Sequence, residues 1–174
     1  MSFYQKVAEI GKKYIGQDKL FKYAFNLSPM YRRSTGRITH VSKDLLHVAL
    51  KLPISYKNRN YVGTMFGGSM ASATDPIFMV QLSNILGNNY VVWDKATTIL
   101  FKRPGKTTLY ADFDFSEEEI TDIRNRIATE KEIVIVKKVF LLSKDKTSIV
   151  CEIDKTIYIS DKNHYKQKMN LRKK

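Results

Sequence analysis

Nothing in this sequence restricts the fold more than the segment from Gly67 to Gly87, GGSMASATDPIFMVQLSNILG, an apolar stretch too long for a strand in a chain whose other apolar runs are short. Its Ala, Met, Leu and Ile content favours helix, and Gly87 stands where a left-handed C-terminal cap belongs. Apolar residues lie nearly all round it, which predicts a buried helix. Pro76 falls inside it, so the amide bond to the Ser72 carbonyl is lost and a kink or an opened turn is expected there.

The rest of the chain arranges itself about that helix. Val7, Ile10, Tyr14 and Ile15 form one stripe, predicting an amphipathic helix over residues 3–23 that Ser28-Pro29 breaks. Ile38 and Val41, then Leu46, Val48, Leu50 and Leu52 at period two, mark two strands joined at Ser42-Lys43-Asp44 and ended by Pro53. After the helix come four strand-like runs, 90–102, 107–115, 131–142 and 147–159. The first two are expected to turn at Arg103-Pro104-Gly105-Lys106 and the last two at Ser143-Lys144-Asp145-Lys146. Between them, residues 116–129 read as a helix with Ser116 and Glu119 as a capping box. Antiparallel hairpins around one hydrophobic helix give an α+β layout, the helix forming the core of a strongly curved sheet.

Composition limits the function classes. At 174 residues, 43% of them hydrophobic, the chain builds a folded core and is not a disordered basic tail. A single cysteine, Cys151, excludes an internal disulfide and a cysteine-rich zinc site, and its place in a strand reads as a small buried hydrophobe. The absence of a signal-like or membrane-spanning apolar run leads to the expectation of a cytoplasmic protein without membrane contact. The formal net charge of +13 admits nucleic acid, an anionic surface or a small anionic ligand. Residues 161–174 hold six Lys/Arg and one acid without apolar periodicity and read as a solvated tail.

Motif chemistry narrows further. No Walker loop and no G-x-G-x-x-G follows a strand. His40, His47 and His164 lack the paired spacing of a metal site, so no metal is expected. Gly67-Gly68-Ser69-Met70-Ala71 fails the nucleophile-elbow pattern at its last position. The informative stretch is Asn60 to Asp75. Two glycines at the start of an apolar helix leave unpaired N–H groups where the dipole favours negative charge, a place for an oxyanion. Asp75 is the only acid of that helix, and a lone carboxylate there must either find a partner or line a site.

These residues carry a resemblance. Asn60-x-x-Gly63-Thr64-x-Phe66-Gly67-Gly68, with Asp75 seven positions on, resembles the hot-dog fold acyl-CoA thioesterase superfamily, especially its phenylacetyl-CoA thioesterase-like branch. That branch carries N-x-x-G-T-x-H-G-G, so Phe66 stands where it has histidine. Phe101-x-x-Pro104-Gly105 and Leu109-Tyr110-Ala111 resemble the family's strands after the helix. The likeness spans residues 31–160, giving a hot-dog domain flanked by an N-terminal helical extension (1–30) and a basic C-terminal tail (161–174).

The resemblance implies hydrolysis of an acyl-CoA or acyl-carrier thioester without a cofactor. Asp75 would be general base or nucleophile, Gly68 N–H would polarise the carbonyl, and Asn60 would position water or thioester. Thr64, Phe66 and Gly67 would contact substrate. Seven helical residues span about 10 Å, so Gly68 and Asp75 of one chain cannot both reach one thioester carbon. Two copies with antiparallel helices solve this, in keeping with the homodimers, or dimers of dimers, of that family. The Phe66 substitution and the Pro76 that follows the acid suit either a divergent thioesterase or a non-catalytic acyl-thioester binding protein. A nucleic-acid binder is the weaker alternative.

Overall fold

Alternation of apolar and polar residues puts one face of every strand toward a shared core. In the computed structural model, which describes residues 15–172, six strands form one antiparallel sheet in the order β1-β2-β4-β5-β6-β3. They are β1 (Arg37–Val41), β2 (His47–Leu52), β3 (Tyr90–Phe101), β4 (Leu109–Asp114), β5 (Glu132–Leu142) and β6 (Ile149–Asp161). Val48, Leu50 and Leu52 of β2 face inward with Leu109, Ala111 and Phe113 of β4 and Cys151, Ile153, Ile157 and Ile159 of β6. Ile38 and Val41 are three apart yet both buried, because an irregularity between Ile38 and His40 resets the alternation.

The apolar segment fills the concave side, and it breaks where the proline predicts. It forms two helices, α3 (Gly67–Thr74) and α4 (Ile77–Leu86), with Asp75 and Pro76 between them. Ile77, Phe78 and Leu82 are fully buried, and Phe78 meets Phe113 edge-on at 4.9 Å. Gly87 ends α4 at φ 88° with its N–H on the Ser83 carbonyl. Burial is not complete all round, since Ser72 and Asp75 are exposed.

One connection departs from expectation. Residues 103–106 do not make a hairpin, because β3 lies at the sheet edge against β6 while β4 lies between β2 and β5. The connection between them is held by other partners. Lys102 and Arg103 N–H groups both reach the Val150 carbonyl, and the Gly105 carbonyl accepts from Met65 N–H at 2.7 Å. Turn chemistry is local, whereas the inward face of the 13-residue β6 selects β3 as its neighbour over 11 register pairs. The turns at Ser42–Asp44 and Ser143–Lys146 do close hairpins.

Peripheral helices complete the shell. The first, α1 (Gln17–Leu27), buries Phe21 and Phe25, stops at Ser28, and is followed by the short α2 (Pro29–Arg33). Val7, Ile10 and Tyr14 of the predicted stripe lie outside the described residues. The helix α5 (Glu117–Glu130) has both halves of the Ser116–Glu119 capping box. The C-terminal segment expected as a solvated tail is instead α6 (Lys162–Leu171), which buries no residue fully but lays a half-buried face of His164, Tyr165, Lys168 and Met169 on the sheet. Its cause is local: the Asp161 carboxylate accepts from Asn163 and His164 N–H groups at 2.9 Å, and Lys168 pairs with Glu132 of β5 at 2.6 Å. Asp161→Ala should therefore lower unfolding stability by about 0.5–2 kcal/mol in a denaturant titration. A C-terminus without helical structure would leave the midpoint unchanged.

Candidate active site

The loop entering α3 is closed by its own side chains. Asn60 accepts Thr64 N–H at Oδ1 and donates from Nδ2 to Thr64 Oγ1, both at 2.9 Å. Its main-chain N–H reaches the Thr64 carbonyl at 2.7 Å, and Gly63 turns the chain at φ 80°. Asn60 and Thr64 thus serve one another, and the polar groups of Asn60 are occupied within the loop. Buried Asn58 anchors the next step, its carbonyl accepting Phe66 N–H at 2.8 Å.

At the helix start, Ser69 and Met70 N–H groups both converge on the Phe66 carbonyl, at 3.0 and 3.3 Å. Among the described residues the N–H groups of Gly67 and Gly68 make no hydrogen bond, so two donors stand free at the positive end of the dipole. The glycines are small for a reason visible in the packing. The Phe66 ring lies directly against the position a Gly68 Cβ would take, and the Phe101 ring from β3 lies against that of Gly67. Phe66 itself is 57% exposed, so it covers Gly68 from outside.

Asp75 sits at the opposite end of α3, and its side chain is 60% exposed. Its Oδ1 accepts from Lys155 Nζ at 2.8 Å, and among the described residues Oδ2 makes no hydrogen bond. Lys155 is 0% exposed because it occupies an inward position of β6, between Ile153 and Ile157. Its ammonium has three donors, and the others go to Asp94 Oδ2 at 3.0 Å and Thr97 Oγ1 at 2.9 Å. A buried ammonium is costly unless paired and fully hydrogen-bonded, and here it is both. Asp94 and Thr97 have opposite strand parity, but a register shift between Asp94 and Ala96 leaves both facing Lys155. Burial, with a smaller push from the Asp75 charge, raises the Asp94 pKa against the pull of Lys155.

The cross-strand neighbour of Lys155 on β5 is Lys137, whose ammonium turns to Glu119 at 2.6 Å and to the Phe115 ring. The two cations are thus each committed elsewhere.

Lys155, Asp94 and Thr97 complete a site that motif reading reached only through Asp75. A signal was present: in CEIDKTIYI the lysine falls in register with Cys151, Ile153, Ile157 and Ile159, where only a partnered charge is tolerated. The other candidate nucleophile and the histidines lie elsewhere. Burial pushes the Cys151 thiol up to about 11. His40 and His47 lie ring to ring at 5.5 Å on β1 and β2, His47 bonding Asp114 at 2.6 Å. Among the described residues no three His, Cys, Asp or Glu side chains converge for a metal.

Two outcomes test this geometry. Lys155→Met strands Asp94 and Asp75 without their cation, and it should cost about 3–5 kcal/mol of stability in denaturant, partly recovered by adding Asp94→Asn. Cys151 should resist thiol reagents at pH 8 in the folded protein and react fully in denaturant; equal rates would contradict its burial.

A family model described as Domain of unknown function (DUF4442) matches residues 17–159. Solved structures share the fold. A Pseudomonas aeruginosa protein of unknown function, described as a probable thioesterase, has a TM-score of 0.72 at 16% identity over 82% of this chain and 95% of that one. A Chlorobaculum tepidum protein of unknown function scores 0.64 at 13% identity, covering 91% and 94%. A Haemophilus influenzae thioesterase scores 0.60 at 12% identity, covering 82% and 90%. No curated protein sequence matches the chain. The curved antiparallel sheet around a central helix is the hot-dog fold.

Proposed function

The chain belongs to the DUF4442 family, and from its hot-dog fold and the Asn60–Asp75 motif we propose that it is a thioesterase acting on an acyl-CoA or acyl-carrier thioester. The observation that carries the reading is Asp75, a half-exposed carboxylate at the helix break, with one oxygen held by a buried lysine and the other facing outward. A carboxylate so held keeps its orientation while its free oxygen takes a proton.

The chemistry needs a second copy. Asp75 and Gly68 lie at opposite ends of α3, so one protomer's Asp75 works with its partner's Gly68. The edge of β3 favours such pairing. Among the described residues this 12-residue strand pairs with β6 alone, and it exposes Trp93, Leu100 and Phe101. In the proposed reaction Asp75 Oδ2 takes a proton from water as the water oxygen bonds the thioester carbon. The carbonyl electrons move to oxygen, held by the free amides of the glycine pair. Collapse breaks the carbon–sulfur bond, and the departing thiolate takes the proton from Asp75. Water is the co-reactant, and the scheme uses no cofactor or metal. Among the described residues no helix is long and apolar enough to cross a membrane, and a cytoplasmic location suits the single buried thiol.

A second reading rests on Phe66. Its ring covers Gly68 where the resembling branch has histidine, which suits binding of an acyl thioester without turnover. Release of free thiol from a panel of acyl-CoA esters separates the two. The wild type should turn over, and Asp75→Asn should lower kcat by about 10²–10⁴-fold. Equal rates would remove Asp75 as the base, and saturable binding without thiol release would establish the second reading.

A further inference from the structure

Several of the chain's cations are neutralised singly: Lys102 and Lys138 meet Glu152, Lys137 meets Glu119, Lys146 meets Asp112, and Lys155 meets Asp75 and Asp94. A different situation holds where α2, the start of β1 and the loop after β2 meet. There a concavity of about 610 Å³ is lined by Arg32, Arg33, Arg37 and Lys57, with Tyr56 beside them and no acid in its wall. Among the described residues no carboxylate lies within 4.0 Å of any of these four cations. Arg32 and Arg33 end a helix whose carbonyls they complement, but Arg37 and Lys57 come from other elements, so the helix dipole does not explain the convergence. Like charges gathered in one hollow repel, and an anion relieves them.

The hollow is built on fixed backbone. Asn58, buried beneath it, donates to Thr35 Oγ1 at 2.7 Å and to the Pro53 carbonyl at 2.8 Å, and accepts Ser55 N–H at 2.7 Å. The same residue's carbonyl holds Phe66 N–H at the entry to α3. On the other side Tyr31 of α2 donates to the Ala73 carbonyl at 2.9 Å, two residues before Asp75. The basic hollow is therefore tied at two points to the helix that carries the glycine pair and Asp75. Tyr56, 86% exposed, offers an aromatic face with the Lys57 ammonium 5.7 Å from its ring.

We propose that this hollow binds the phosphorylated nucleotide end of a CoA thioester, its phosphates on Arg32, Arg33, Arg37 and Lys57 and its base on Tyr56. The proposal rests on the thioesterase reading for the thioester but makes its own demand on the ligand: two or more phosphates next to an aromatic base. Guanidinium groups hold phosphate oxygens in pairs, and a stacked base adds selectivity over inorganic phosphate. Arg103 and Lys106, cations of the β3–β4 connection that lie outside the hollow, form the comparison.

The test measures binding of CoA itself, with acyl-pantetheine, which lacks the nucleotide, as the second ligand. Arg33→Gln/Lys57→Gln should weaken CoA about tenfold or more at low salt and raise the acyl-CoA KM in step, with kcat and acyl-pantetheine turnover unchanged. Arg103→Gln/Lys106→Gln should change none of these. Unchanged CoA affinity in the first pair, in a wild type that hydrolyses acyl-CoA, overturns the site and leaves the thioesterase reading intact. Loss of CoA affinity in that pair, in a wild type that releases no thiol, sustains the site and ends the reading. Tighter binding of a short RNA than of CoA, lost in the same pair, makes the hollow a nucleic-acid surface and overturns the proposal.

Discussion

The ammonium of Lys155 is the point on which the site depends. It lies on the inner face of β6 with apolar neighbours above and below, where an unpaired charge would cost several kcal/mol. It ties its own strand β6 to two other elements: the helix break through Asp75 and the edge strand through Asp94 and Thr97. The geometry of each carboxylate is consequently set by the fold, and any shift of β3 against β6 is felt at Asp75. The same arrangement gives the helix break a purpose. Pro76 ends α3 so that Asp75 projects sideways from the helix toward the sheet.

The entry to α3 shows a second dependence, between size and aromatic cover. Gly67 and Gly68 accept the rings of Phe101 and Phe66, so a side chain at either position pushes a ring away. Read from sequence, the glycines suggest ligand approach; in the folded chain, packing also requires them. The free amides remain, and the two demands coexist because one concerns the Cα face and the other the nitrogen.

Much of the layout was legible because it rests on local rules. Pro76 announced the break, the Ser116–Glu119 pair announced α5, and alternation announced six strands. What escaped was non-local. Turn-forming residues at 103–106 say nothing of which strand β3 will choose, since that is decided by the face of β6, some fifty residues later. The order of residues 162–171 depends on a cap and on Glu132, which hydrophobic periodicity does not register. Asp75 was found by being alone in its helix; Lys155, Asp94 and Thr97 needed the pairing of β3 with β6 to become neighbours.

The irregularity in β3 has a consequence of its own. Lys95 is the extra residue that lets Asp94 and Thr97 share a face, and it also sets the facing of Ile99 and Phe101 downstream. The strand therefore depends on where the ladder skips a residue as well as on identity. Exchanging Lys95 for another exposed residue leaves the facing intact, and even its loss keeps Asp94 and Thr97 on one face by plain alternation; pairing Lys95 into the ladder is what turns Thr97 from the lysine and Phe101 from the glycine pair, along with the rest of the strand beyond it. In this edge strand the unpaired residue is itself a component of the site.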